Sequence, residues 1–139
     1  MRVYSESFSF QTRGEHHFHD LTDKVEKAVA NSTIRDGIAL IFAGHATGVI
    51  AMTEYESRLL EDVKELIARL IPTRGAYHHS GNAPAHLRSL FVAPSKVVPV
   101  RDGRLDLGTW QSIFWIETET HPRSRTVYVY VIGEEASQR

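Results

Sequence analysis

The sequence predicts an α+β fold: a single-domain sandwich, residues 1–139, of mainly antiparallel sheet with helices packed on it. Three observations predict it. An apolar run without alternation, residues 37–44, reads as a strand covered on both faces. Leu59, Leu60, Val63, Leu66, Ile67 and Leu70 recur with the spacing of an amphipathic helix over residues 56–70. From Lys96 onward, short strand-like segments follow one another with no helix between them, which excludes a doubly wound parallel sheet.

At the start of the chain, Tyr4, Phe8 and Phe10 share a period-2 face and predict an opening strand. Asp23 followed by Glu26 has the form of a capping box, and Leu21, Val25, Ala28 and Val29 stripe a helix that ends near Asn31. Residues 49–53 predict a short strand entered through the turn between Gly44 and Gly48. The long helix is expected to bury its whole apolar face and to stop before Pro72. Asn82 is placed to cap a third, short helix, with Pro84 in its first turn and Leu87, Leu90 and Phe91 inward. Strands are then expected at 97–100, 105–107, 110–117 and 126–132 as an antiparallel meander, with Arg101-Asp102-Gly103 as its first tight turn.

Composition removes several function classes. A chain of 139 residues fits one domain and is too short for a complete TIM barrel. With 16 Lys+Arg against 17 Asp+Glu, no bulk basic character draws it to nucleic acid or to anionic lipid. The absence of cysteine excludes thiolate chemistry, Cys-based zinc sites and iron–sulfur clusters. No apolar run approaches the roughly 20 residues of a membrane span, and the first ten residues lack an apolar signal core. A cytoplasmic soluble domain is the expectation.

The residues able to do chemistry are mostly histidines. His45, in Gly44-His-Ala-Thr-Gly48, follows a buried strand at a place where side chains converge. Glu54 comes after the next short strand, and Asp62 lies near the edge of the long helix's apolar stripe. His78, His79 and His86 follow, with Asn82 between them. Imidazole is the commonest zinc ligand, and three His with one open position form a catalytic arrangement. There is no His-Glu-x-x-His and no His pair at i, i+4 on one helix, so metal ligands and ordinary loop histidines remain equal readings of the spacing. The metal reading requires His45, His79 and His86 to converge, while His78 turns away as a neighbour in an extended loop does. His16, His17 and His19 precede a helix in a polar stretch and are expected to face solvent.

A second group lies near the C-terminus. Gly108 permits a close backbone approach, Trp110 offers a flat apolar face with an N–H, and Gln111 a two-way amide. A bulge and a core anchor are the alternative. Arg123 and Arg125 flank Ser124, and the guanidinium fork matches phosphate oxygens. Their alternative is pairing with acids such as Glu117 and Glu119, which would only tie strands together. No phosphate loop, dinucleotide fingerprint, Gly-x-Ser-x-Gly elbow or RNA-binding aromatic motif is present.

Taken together, these strings resemble the YjbQ-like family, small proteins often named secondary thiamine-phosphate synthases. The resemblance covers nearly the whole chain: Gly44-His45 through Thr53-Glu54, Glu61-Asp62, Tyr77-His78-His79, Asn82-Ala-Pro-Ala-His86-Leu87, Val98-Pro99-Val100, Gly103-Arg104-Leu105, Leu107-Gly108-Thr109-Trp110-Gln111 and Arg123-Ser-Arg125. It implies a YjbQ-like sandwich assembled as a homo-trimer, with a histidine-rich cleft that holds a divalent metal, zinc first and magnesium or manganese next. His45, His79 and His86 would be the metal ligands. His45, Glu54, Asp62, Trp110 and Gln111 would serve catalysis, and Arg104, Thr109, Arg123, Arg125 and Asn82 would bind substrate. The implied reaction joins a pyrimidine diphosphate to a thiazole phosphate and releases diphosphate. The alternatives are a metal-dependent hydrolase or lyase of another substrate, and a non-catalytic trimeric module for a small anion or metal. Two departures stand out. His45-Ala46-Thr47-Gly48 has one hydroxyl fewer than the family's His-Thr-Thr/Ser-Ala, and the segment from His79 to Asn82 is short.

Overall fold

The computed structural model describes residues 1–14 and 17–135. Along the chain lie β1 (Arg2–Gln11), β2 (Phe18–Asp20), α1 (Thr22–Ser32), β3 (Ile34–Ala43), β4 (Val49–Thr53) and α2 (Ser57–Leu70). They are followed by α3 (Ala83–Val92), β5 (Ser95–Arg101), β6 (Arg104–Leu105), β7 (Ser112–Ile116) and β8 (Ser124–Glu135). A five-stranded sheet has the order β1-β8-β3-β5-β6, a three-stranded one β2-β7-β4, and the strand pairs are antiparallel. The expected α+β class is the observed one.

β8 organises the larger sheet. It pairs with β1 from Arg2↔Gly133 to Gln11↔Ser124, and on its other edge with β3 from Ile34↔Glu135 to Ala43↔Val127. Arg125, Val127, Val129 and Val131 all turn inward, so a one-residue slip would send the four to the opposite face. Gly37 and Gly133 oppose each other in this ladder; a Cβ on Gly37 would lie 2.0 Å from the Ile132 carbonyl oxygen. The strands approach too closely there for any side chain.

The main core lies between this sheet and a second layer made of α1 and the smaller sheet. Leu21, Val25 and Val29 with Ile50, Ile113 and Trp115 meet Ala39, Ile41, Val98 and the β8 valines. The other face of the smaller sheet, Val49, Ala51, Phe114 and Ile116, packs against Leu60, Val63 and Ile67 of α2. β7 is therefore apolar from Ile113 to Ile116 because both its faces are covered.

That double cover also explains why the expected meander does not form. β5 and β6 pair as a hairpin, but β7 leaves for the smaller sheet and β8 returns between β1 and β3. Conversely, β3 is not covered on both faces within one chain: Ala39, Ile41 and Ala43 are buried, while Ile38 and Phe42 are exposed. Burial of the α2 face is also narrower than its pattern suggests. Leu60 is buried, whereas Leu66 and Leu70 are exposed. Fourteen residues of helix run about 21 Å, and three strands spaced about 4.8 Å apart cover only about 10 Å.

α3 reverses the expectation. Leu90 and Phe91 are 77% and 76% exposed and Leu87 is also exposed, while Ala83, Pro84, Ala85, Arg88 and Ser89 are buried. Small side chains let the helix sit close to the end of the smaller sheet, where Ser89 Oγ accepts the Gly48 N–H at 2.8 Å. The Asp23/Glu26 box is likewise not used. Asp20 Oδ1 accepts the Thr22 N–H and hydroxyl at the helix start, and Glu26 accepts the Leu105 N–H.

Candidate functional site

β7 is followed by Glu117, Thr118 and Glu119, three polar residues that are all buried. A strand running straight into buried carboxylates needs partners for them, and β8 supplies these. Arg125, 1% exposed, donates from Nε to Glu117 Oε1 at 2.8 Å, from Nη2 to Glu117 Oε2, and from Nη2 to Thr47 Oγ1 at 3.1 Å. Trp115 Nε1 adds a bond to Glu117 Oε1 at 3.3 Å, and the guanidinium lies over the Trp115 ring at 5.3 Å. Burial pushes the Glu117 carboxyl up, but the hydrogen bonds and charge of Arg125 hold it below the usual glutamate value. The turn is tight as well as polar. Gly48 has φ +91° and its N–H also bonds Thr118 Oγ1 at 2.6 Å; a Cβ there would lie 2.0 Å from Trp115 Cζ2.

On this floor stands a half-open cleft of about 520 Å³, walled by Asn82, Arg88, Thr118, Glu119, His121 and Arg123 among others. Glu117 Oε2 accepts the Glu119 N–H at 3.0 Å and so fixes the next carboxylate in place. Glu119 is 2% exposed; its Oε2 accepts from Arg123 Nη1 at 2.8 Å, has Asn82 Nδ2 at 3.5 Å, and lies 3.8 Å from His121 Nε2. Arg123 itself is half-buried. The two arginines thus take the roles posed as their alternative: Arg125–Glu117 and Arg123–Glu119 are ion pairs. Arg125 is sealed below the cleft, and Arg123 is on its wall.

The histidines divide. His79 and His86 stack edge to face with ring centroids 5.1 Å apart, in a hollow of about 400 Å³ that also touches Tyr77, Ala83 and Leu87. His78 lines the same hollow and does not turn away, because the chain bends through 78–82 instead of running extended. His45 is elsewhere, edge-on to Trp115 at 6.1 Å, with Nε2 accepting the Thr126 N–H at 3.1 Å. That bond puts the proton of the neutral ring on Nδ1. Burial and the Arg125 charge lower its pKa and hold the ring neutral. With one nitrogen accepting and the other protonated, His45 is not available as a metal ligand unless it gives up Thr126. Among the described residues no three His, Asp or Glu side chains form a group able to hold an ion. The expected three-histidine convergence does not occur within one chain.

The Gly-Thr-Trp-Gln string is also set apart. Gln111 Oε1 accepts the Gly108 N–H at 2.8 Å, closing a turn that leaves Trp110 72% exposed. This turn precedes β7 and the cleft follows it, so the two lie about 20 Å apart at strand rise. Thr53 pairs with Ser112, which puts Glu54 at the same end as Trp110 and away from the cleft. Asp62 is exposed on α2, and Thr109 and Arg104 are exposed near the β6 edge. Of the expected residues, Asn82 and Arg123 share the cleft, and His79 and His86 share the adjoining hollow. His17 and His19 are partly buried: His17 Nδ1 accepts the Arg13 N–H, and His19 stacks on Phe10 at 4.4 Å. His16 lies outside the described residues. Glu119, Thr118 and Thr47 were missed as site residues; the available signal was a pair of glutamates continuing an apolar strand.

Comparison with known proteins places this fold among relatives. A family model described as UPF0047 protein YjbQ-like matches residues 6–134. A UPF0047 protein of Methanothermobacter thermautotrophicus is 38% identical over 96% of this chain and 95% of its own. Another, from Synechocystis, is 32% identical over 96% and 94%. Among solved structures, a YbjQ-like protein of unknown function from Sulfolobus solfataricus superposes with TM-score 0.89 at 37% identity, covering 96% of this chain and 99% of that one. A YjbQ/UPF0047 protein from Clostridium acetobutylicum gives 0.85 at 32%, covering 91% and 99%. The sandwich, its length and its sequence agree on one assignment: the chain belongs to the YjbQ-like UPF0047 family.

Proposed function

We propose that the Asn82–Glu119–Arg123 cleft binds a small phosphorylated molecule and that the protein is an enzyme acting on it. The observation that carries this reading is a cavity of about 520 Å³ with a guanidinium on its wall and a rigid, buried ion pair beneath. That volume suits a small ligand, and an arginine edge is the usual partner of a phosphate. The specific reaction comes from the family resemblance: a pyrimidine diphosphate joined to a thiazole phosphate, with the carbon–oxygen bond to diphosphate breaking as diphosphate leaves. In that reaction Arg123 would hold the phosphate oxygens. The adjoining hollow of Tyr77, His79, His86 and Leu87 would shelter a ring from water.

The donors of one chain do not fit the three-histidine zinc site, since two imidazoles stand together and the third is committed to Thr126. A divalent ion enters this reading only at the His79–His86 pair, with its remaining ligands from outside the chain. Trimeric assembly through the apolar outer face of the larger sheet and a cytoplasmic location belong to the same proposal. No helix among the described residues is long and apolar enough to cross a membrane.

The test is turnover of the two thiamine precursors by wild-type protein, with and without added metal, beside Arg123→Ala. Product formation lost in the variant is the expected result. If the wild type forms no thiamine phosphate yet binds phosphate at Arg123, the anion-binding alternative takes its place. If it hydrolyses other phosphate esters, the hydrolase alternative does.

A further inference from the structure

Glu119 has a role that ion pairing with Arg123 does not account for. Its Oε2 faces Arg123, Asn82 and His121. Its Oε1 accepts no hydrogen bond from a described residue. Yet no buried side-chain oxygen among the described residues lacks a partner, so Oε1 is not fully sealed, and Glu119 lines the cleft. A carboxylate with 2% exposure has exchanged most of its water for fixed neighbours, and its one open oxygen is a strong, directed acceptor. It is also rigid, because its backbone N–H is held by Glu117 and Glu117 by Arg125.

Beside that acceptor stands a donor of opposite charge. Arg123 gives Nη1 to Glu119, lines the cleft, and has a side chain 41% exposed. His121, mostly exposed, flanks the pair. A cleft that offers only cations would take any phosphate. A cleft that sets a fixed carboxylate oxygen next to the arginine disfavours a bare dianion and favours a ligand that fills both positions.

We propose that Glu119 is a specificity-determining residue, and that the cleft takes ligands carrying a cationic N–H donor a short spacer away from their phosphate. The phosphate goes to Arg123 and the N–H to Glu119 Oε1. This rests on the reading of the cleft as a phosphate site given above, and the test separates the two.

Ethyl phosphate and phosphoethanolamine are suitable probes, since they differ by one ammonium group. Each is titrated into wild type, Glu119→Gln and Arg123→Ala at low salt, followed by calorimetry and by amide NMR shifts. Wild type should prefer phosphoethanolamine by about tenfold to a hundredfold, the range of a charge-assisted hydrogen bond. Glu119→Gln should erase most of that preference. Arg123→Ala should weaken both probes. An undiminished preference in Glu119→Gln, or equal affinities in wild type, overturns the role of Glu119 and leaves the phosphate cleft standing. Probes that bind with no loss in Arg123→Ala, or that fail to bind at millimolar concentration, overturn both. Unchanged amide spectra away from 117–123 in each variant show that the fold is retained.

Discussion

Arg125 shows how one side chain can be both legible and misjudged. Two arginines flanking a serine suggest anion recognition, but inward alternation along β8 carries Arg125 into the core, where Glu117 is waiting. A pair this deeply buried contributes little as a pair but is costly to break, because the remaining charge is left without a partner. Arg125→Met should destabilise the fold by about 3–5 kcal/mol in urea unfolding, and Arg125→Met with Glu117→Leu by less than the two single changes added. Additive losses would show that the two do not act together. Where Arg125→Ala still folds, its phosphate affinity should equal that of wild type. His45 gives a pH dependence. Its pKa is lowered, first by burial and then by Arg125, and burial also lowers His17 and His19. The unfolded chain therefore binds more protons than the folded one below about pH 6.5, so stability declines as pH falls through that value toward the lowered ones. The His45 ring should titrate below the ordinary imidazole value by NMR, with its proton on Nδ1 above it. A normal midpoint would show that burial and the Arg125 charge do not govern the ring.

Elements were legible where local signals bound them. The strand at 49–53 and the helix to Leu70 match their patterns because turn signals and Pro72 bound them. What the pattern does not carry is which neighbour covers a face. α2 and α3 both have apolar residues at helical spacing, yet α3 packs through alanines and serine and exposes Leu90 and Phe91. The cleft was half legible for the same reason: Asn82 and Arg123 are polar residues in loops, whereas Glu117 and Glu119 follow directly on an apolar strand. The loop from β3 into β4 depends on Gly48. Gly48→Ala should cost at least about 1–3 kcal/mol of stability by overpacking against Trp115, before the positive φ is counted. Leu90→Lys should stay within about 0.5 kcal/mol, as surface changes do. A large loss in Leu90→Lys would mean that α3 is covered in solution.

At the scale of the molecule, the outer face of the larger sheet stands out. Ile38, Phe42, Val97, Tyr128 and Tyr130 are exposed side chains from three adjacent strands, and exposed apolar patches of this kind mark interaction surfaces. If three copies associate through it, light scattering gives a trimer mass for wild type and a smaller mass for Phe42→Glu with Tyr128→Glu. A wild-type monomer at micromolar concentration would dismiss the assembly.

The position of β8 between β1 and β3 has a consequence for how the chain is made. A polypeptide emerging N-terminus first presents β1 and β3 long before the strand that joins them exists. Until β8 arrives, both carry unpaired backbone edges and half of the core has no opposing wall. Folding must therefore wait for contacts between the two ends of the sequence, which makes it slow for a chain of this size. It also leaves the nascent chain dependent on whatever shields open strands during synthesis.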